Sequence, residues 1–218
     1  MIKKPDYIFG ISTRCENEEQ SNLPITCVKS IREFYPDADI FIVDSDSPVN
    51  YHIEPLLELG CIISNKKNHN YEAGMIWETY LKFDRDVYVF MQDSMILKGN
   101  IDEYFTKDVT VIGEIHSGFT AMGELLQNWI VENIEKTEYD LIDMNNYNIV
   151  QYNSMIIQKN VMDKLKAKKL DAVLPTNKLG SCGMERLFGI VLTQEGHHVS
   201  ESIQLPQNLI HKSWINRQ

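Results

Sequence analysis

Cysteine is scarce in this chain: Cys15, Cys27, Cys61 and Cys182 are the only four in 218 residues, and none sits in a CxxC pair. That scatter excludes a disulfide scaffold and a zinc ribbon. It fits free thiols in a reducing compartment, so a cytoplasmic location is expected. Long apolar runs are missing too, since nothing approaches the ~20 residues of a membrane-spanning helix. The opening Met1-Ile2-Lys3-Lys4-Pro5-Asp6 is too polar to read as a secretory leader. Positive charge is the third shortage, with 21 Lys and Arg against 31 Asp and Glu and a net charge of −10. Nucleic-acid and anionic-membrane binders usually carry a basic face, so neither partner is expected. Finally, no Gly-rich phosphate loop ending in Lys-Ser/Thr is present, and no GxGxxG follows the first apolar run. P-loop kinases and ordinary dinucleotide-binding dehydrogenases are thereby set aside.

What the chain does have is alternation of strand-like and helix-like stretches. Tyr7 to Ser12 reads as a strand. A helix follows from near Pro24, capped by Ser21 or Asn22, with Ile25, Val28, Ile31 and Phe34 at helical spacing. Ile40 to Val43 is a second strand, Pro55 to Leu59 a short helix and Cys61 to Ser64 a third strand. Tyr71 to Phe83 then reads as a helix, and Val87 to Met91 as a strand buried on both faces, with Met95 to Leu97 resuming after a polar break. This rhythm predicts a parallel sheet covered by helices on both sides.

The second half is less regular. Val109 to Ile115 reads as a strand and Ala121 to Ile134 as a helix with Leu125, Leu126, Trp129, Ile130 and Ile134 on one side. A polar loop from Glu135 to Asn148 precedes a strand at Val150 to Ile157 and a basic helix at Val161 to Leu170. Gly180-Ser181-Cys182-Gly183 reads as a turn before a helix at Met184 to Thr193, and His197 to Leu205 as a last strand. Trp77 and Trp129 read as core rather than sugar platforms. One domain is expected, with residues 1–97 and 98–218 as its halves.

Three strand ends carry hydroxyls, amides or carboxylates: Ser12/Thr13, Asp44/Asp46 and Gln92/Asp93. In a parallel sheet these ends share one rim, where ligands bind. Several acidic groups on such a rim suit a divalent cation and a nucleotide. Each Asp is also compatible with a plain strand-closing turn.

The order and spacing of these segments resemble the GT-A-type glycosyltransferases, especially their large inverting, family 2-like group. Ser12-Thr13-Arg14-Cys15-Glu16-Asn17 is similar to that family's first strand and polar turn. Ile40 to Ser47 resembles its V-D-x-x-S segment, and the helix with Asn70 and Gly74 resembles the approach to its Asp-x-Asp metal motif at Gln92-Asp93-Ser94. Asn153 to Ile157 is similar to its acceptor-side strand, and Gly183-Met184-Glu185-Arg186 to the segment holding its catalytic base.

The resemblance implies an α/β, GT-A (Rossmann-like) fold with a mixed, mostly parallel central sheet flanked by helices. It implies transfer of a sugar, with inversion, from a nucleotide-sugar (a UDP-sugar foremost) to a glycan or other hydroxyl acceptor, with Mn²⁺ or Mg²⁺ as cofactor. Ser12, Thr13, Arg14, Asp44, Asp46, Asn70, Gly74, Gln92 and Asp93 would bind the donor, with Asp44 reading the base. Asp93 and His211 would hold the metal, Glu185 would be the base, and Lys212 and Trp214 would help close the site. The departure is Met91, which stands where the metal motif has its first Asp. That substitution leaves open a non-catalytic nucleotide-sugar or carbohydrate-binding domain. A sugar-phosphate nucleotidyltransferase ranks lower, because Thr13 to Glu19 is acidic and lacks glycine. Glu185 could also be a helix-start carboxylate favoured by the dipole, and His211 a solvated tail histidine.

Overall fold

The computed structural model describes residues 5–113, 123–141, 147–199 and 204–213. Its elements in chain order are β1 (Tyr7–Thr13), α1 (Asn22–Phe34), β2 (Asp39–Asp44), α2 (Ile53–Glu58), β3 (Ile62–Ile63), α3 (Tyr71–Lys82), β4 (Val87–Gln92), β5 (Met95–Leu97), β6 (Val109–Val111), α4 (Glu124–Ile134), β7 (Met155–Gln158), α5 (Lys159–Ala167), α6 (Lys178–Gln194) and β8 (Ile210–Lys212). Six strands form one sheet in the order β3-β2-β1-β4-β7-β6, and β5 pairs with β8 in a separate ribbon. β7 runs antiparallel to both of its neighbours, while β3, β2, β1 and β4 are mutually parallel. The mixed, mostly parallel α/β sheet anticipated from the sequence is the architecture observed.

Strand alternation feeds two cores, one on each face of the sheet. Ile8, Phe41, Val43, Tyr88, Phe90, Met155 and Ile157 point to the face covered by α3, α5 and α6. Phe9, Ile11, Ile40, Ile42, Val87, Val89 and Met91 point to the other, against α1 and α2. These side chains are fully buried or nearly so, and each contributes roughly 1.5–3 kcal/mol by leaving water. Trp77 lies in the first core and the half-buried Trp129 packs against it. No helix among the described residues is long and apolar enough to cross a membrane.

Several second-half expectations are corrected. Gly180 to Gly183 is not a turn but part of α6, which starts at Lys178 and is capped by the Asn177 side chain accepting the Gly180 N–H at 2.8 Å. The glycines serve helix packing: a Cβ on Gly183 would collide with the Trp129 ring of α4. Close approach of α4 and α6 thus offsets the ~1 kcal/mol that a mid-helix glycine costs. Gln151–Asn153 coils into a 3-10 turn, so β7 starts only at Met155. The basic helix stops at Ala167, and Lys169 takes a left-handed φ of 64° before a further 3-10 turn. Leu125 is 73% exposed rather than on the buried side of α4. Ser21 does begin α1, yet its hydroxyl donates backwards to the Asn17 carbonyl at 3.0 Å instead of capping forward. Of the stretch expected as the last strand, His197 to Val199 is irregular, 200–203 lie outside the described residues, and Gln204 makes a parallel bridge to Val111.

Candidate functional site

The carboxyl ends of β1, β2 and β4 open onto a cavity of about 890 Å³. Adjacent backbones fix this rim: the Ser45 N–H donates to the Thr13 carbonyl at 2.8 Å and the Asp93 N–H to the Ser12 carbonyl at 3.1 Å. The lining comes from Ser12, Thr13 and Arg14 after β1, Gln92, Asp93 and Ser94 after β4, and Tyr71 and Glu72 at the start of α3. Tyr152, Lys178 and Lys212 close it from the second half of the chain. A large concave site with converging polar groups at strand carboxyl ends is where an α/β sheet takes a ligand.

Asp93 is only 2% exposed. Its Oδ2 accepts the Thr13 hydroxyl at 2.8 Å and the Arg14 N–H at 3.4 Å. Beside it, Gln92 links two walls: its Nε2 donates to Glu72 Oε1 at 2.6 Å and its Oε1 accepts from Lys212 Nζ at 2.8 Å. The Ser181 hydroxyl of α6 donates to Glu72 Oε2 at 3.1 Å. One turn further along α6, on the same face, stands Glu185. It does not itself line the cavity, but its Oε1 accepts the N–H of Tyr152, which does, at 2.9 Å. Burial pushes the Glu185 carboxyl above the ordinary glutamate range; the Tyr152 hydrogen bond pulls it down and the neighbouring Glu72 charge raises it further.

The other expected residues divide. Asp44 is absent from the cavity wall. Its Oδ1 accepts the Ser47 N–H at 2.7 Å, and its Oδ2 accepts the Ser47 hydroxyl at 2.6 Å and bonds His52 Nε2 at 2.9 Å. Burial raises the Asp44 carboxyl, but those bonds outweigh it and the group sits below the ordinary aspartate range. Asp46 pairs with Lys67 at 2.7 Å, off the cavity. Asn70 donates to the Pro175 carbonyl at 3.1 Å, tying α3 to the segment before α6. Gly74 leaves room for Asn68, whose side chain a Cβ there would strike. Asn68, missed by sequence reasoning, lines the cavity and donates to Ser45 Oγ at 3.0 Å and the Tyr71 carbonyl at 2.7 Å.

Backbone strain gathers at the same place. Five non-glycine residues among those described have positive φ. Tyr71 (53°) and Tyr152 (61°) line the cavity, Asp46 (58°) and Asn153 (50°) each adjoin a lining residue, and Lys169 alone lies elsewhere. A tyrosine in this region is costly, and such residues cluster where a site demands them.

The two expected metal ligands are not brought to one cavity. His211 is exposed and lines a neighbouring cavity of about 240 Å³ with Met95, Ile112 and Tyr152. Among the described residues, no group of three or more His, Cys, Asp and Glu could hold a metal ion. The described residues alone do not build a metal centre, and no step below passes through one. Trp214 lies outside the described residues.

No family model and no curated protein matches this chain. Among solved structures it is similar to S. aureus TarS 1-349, with a TM-score of 0.47 and 11% identity. The match covers 84% of this chain and 56% of that one, so the chain spans little over half of that structure. At this score the likeness says nothing about chemistry.

Proposed function

We propose that this chain is a glycosyltransferase. It would move a sugar from a nucleotide-sugar, with a UDP-sugar the first donor to test, to a hydroxyl of a glycan or other acceptor. The observation that carries the reading is the cleft at the ends of β1, β2 and β4. Asp93 forms its floor, and Glu185 is hydrogen-bonded to the wall residue Tyr152.

The chemistry is a single displacement. The acceptor oxygen attacks the anomeric carbon, and its bond to that carbon forms as the bond to the departing phosphate oxygen breaks. The electron pair leaves with the nucleoside diphosphate, the attack from the opposite side inverts the centre, and the acceptor proton passes through a bridging water at the Tyr152 wall to the Glu185 carboxylate. A raised pKa makes Glu185 a stronger base than an exposed glutamate. Asp93 orients the rim through Thr13 and Arg14 and offers a carboxylate acceptor to sugar hydroxyls.

A binding domain without catalysis is the second reading, favoured by Met91, which is 1% exposed in the core and supplies no acid to the rim. Thermal shift with UDP-, GDP- and dTDP-sugars, followed by donor turnover in Glu185→Gln, separates the two. The transferase reading expects stabilisation by one donor class and a loss of turnover on the order of a thousandfold with binding retained. Donor binding without turnover in the unmodified chain, across an acceptor panel, supports the binding domain. No stabilisation by any donor rejects both.

A further inference from the structure

We infer that the cleft holds the diphosphate of its ligand with side-chain cations, Arg14, Lys178 and Lys212, rather than with a divalent metal. The ligand class rests on the transferase reading above; the mode of holding it rests on charge and placement.

Charge first. The whole chain carries 21 Lys and Arg against 31 Asp and Glu. The cavity gathers three of the Lys and Arg, with His69, beside the carboxylates Glu72 and Asp93, and Arg14 carries Glu16 as its exposed partner. Cations gathered at one cavity of an acidic protein attract an anionic ligand there.

Placement next. The three cations come from three separate parts of the chain: the turn after β1, the first residue of α6 and the end of β8. They stand around the cavity rather than along one exposed helix face. Lys212 is the most constrained. β8 pairs with β5, setting Lys212 opposite Met95, and the Ser213 N–H donates to the Ser94 carbonyl at 2.7 Å. The Lys212 ammonium bonds Gln92 Oε1 at 2.8 Å and sits 2.9 Å from the centre of the Tyr152 ring. It is therefore held beside the strand end that leads into Asp93.

Arg14 lines the same cavity after β1, its Nε bonded to Glu16 at 2.6 Å and its Nη1 to the Ser45 carbonyl at 3.0 Å. Both Arg14 and Glu16 are about half exposed, with side-chain values of 49% and 46%. Exposed pairs of this kind are weak, so exchanging Glu16 for a phosphate costs little. Guanidinium forks and lysine ammonium groups both form strong charge-assisted bonds to phosphate oxygens.

The acidic side points the same way. Met91 is buried in the core, so the residue two before Asp93 adds no second carboxylate to the cleft. His211, the second expected metal ligand, opens on the other cavity rather than beside Asp93. Cations standing around the cleft supply what a metal would otherwise supply to the departing diphosphate.

Calorimetric titration of UDP, GDP, dTDP and inorganic pyrophosphate, each in EDTA and in Mn²⁺, tests this. One nucleoside diphosphate is expected to bind in EDTA within about twofold of its Kd in Mn²⁺. Lys178→Gln, at an exposed position whose change leaves the fold intact by circular dichroism, weakens it about tenfold. Adding Arg14→Gln weakens it further, Lys178→Arg restores it, and Lys212→Gln follows Lys178→Gln if it folds. Binding that requires Mn²⁺, or that ignores the loss of Lys178 and Arg14, overturns the cation cradle and leaves the transferase reading standing. Pyrophosphate binding in EDTA, sensitive to Lys178 and without any nucleotide preference, supports the cradle and counts against the nucleotide-sugar reading. Failure of every probe in both buffers overturns both.

Discussion

The ends of β2 and β4 look alike in sequence, each an apolar run closed by aspartate, yet their carboxylates have opposite fates. Asp44 is consumed by its own neighbourhood. The chain turns tightly through Asp46, at φ 58°, and brings Ser47 and His52 back onto both of its oxygens. Asp93 begins a two-residue turn into β5, and it accepts from the Thr13 hydroxyl and the Arg14 N–H across the rim. A strand-end aspartate becomes structural when its own segment supplies a buried cation. Asp93 instead lines the cavity, which Asp44 does not. What decides is the stretch after the strand, not the strand.

Removing each carboxylate in turn separates the two roles. Asp93→Ala should lower kcat/KM for donor turnover by about a hundredfold or more, because the rim that orients the ligand loosens. Its melting temperature should move little. Asp44→Ala should do the reverse. It leaves His52, which has no exposed surface, without its partner, at a cost of about 3 kcal/mol and a drop in melting temperature on the order of 10 °C. Nucleotide affinity should change far less than in Asp93→Ala. Equal effects of the two substitutions on both readouts would erase the distinction.

A pH dependence follows from the same pair. Burial alone would lower the His52 pKa, but Asp44 first and Cys15 after it outweigh burial and carry the value up to about 9. A histidine raised in the folded state stabilises fully below its unfolded value of about 6.5 and loses that contribution as pH rises through 9. Asp44, depressed in the fold, contributes above about pH 4 and loses it on acidification through its lowered pKa. Urea unfolding should therefore give a stability plateau between about pH 4 and 6.5, then a decline towards pH 9 that is absent in Asp44→Ala. The smallest expected effect concerns Glu185. Glu72→Gln removes a charge that raises the Glu185 pKa, so the acid limb of the pH–rate profile should shift to lower pH by a fraction of a unit. An unmoved limb would detach Glu72 from Glu185.

The first half of the fold was legible because its signals are local. Runs such as Val87 to Met91, and helical spacing at Ile25, Val28 and Ile31, state their structure within a few residues. The rim residues Ser12, Thr13, Gln92 and Asp93 followed from strand ends alone, whereas Asp44 and Asp46, named by the same argument, do not line the cavity. The rest depends on contacts between distant segments. Gly180 and Gly183 read as a turn until the Trp129 ring, from another helix, fills the space beside them. Nothing local marks His52 as the buried partner of Asp44, Asn68 as the occupant of the space beside Gly74, or Lys178 as part of the cavity wall. Glu72 is a carboxylate in the first turn of α3, and nothing in its sequence neighbourhood marks it as part of the wall. β8 could not be foreseen either, since Ile210 to Lys212 becomes a strand only by pairing with β5.

A crystal structure of Glu185→Gln with an intact UDP-sugar tests the central claim most directly. The account predicts the diphosphate against Arg14, Lys178 and Lys212, and the anomeric carbon turned towards residue 185 and the Tyr152 wall. A donor bound away from the ends of β1 and β4, or one whose anomeric carbon is walled off from residue 185, would contradict it.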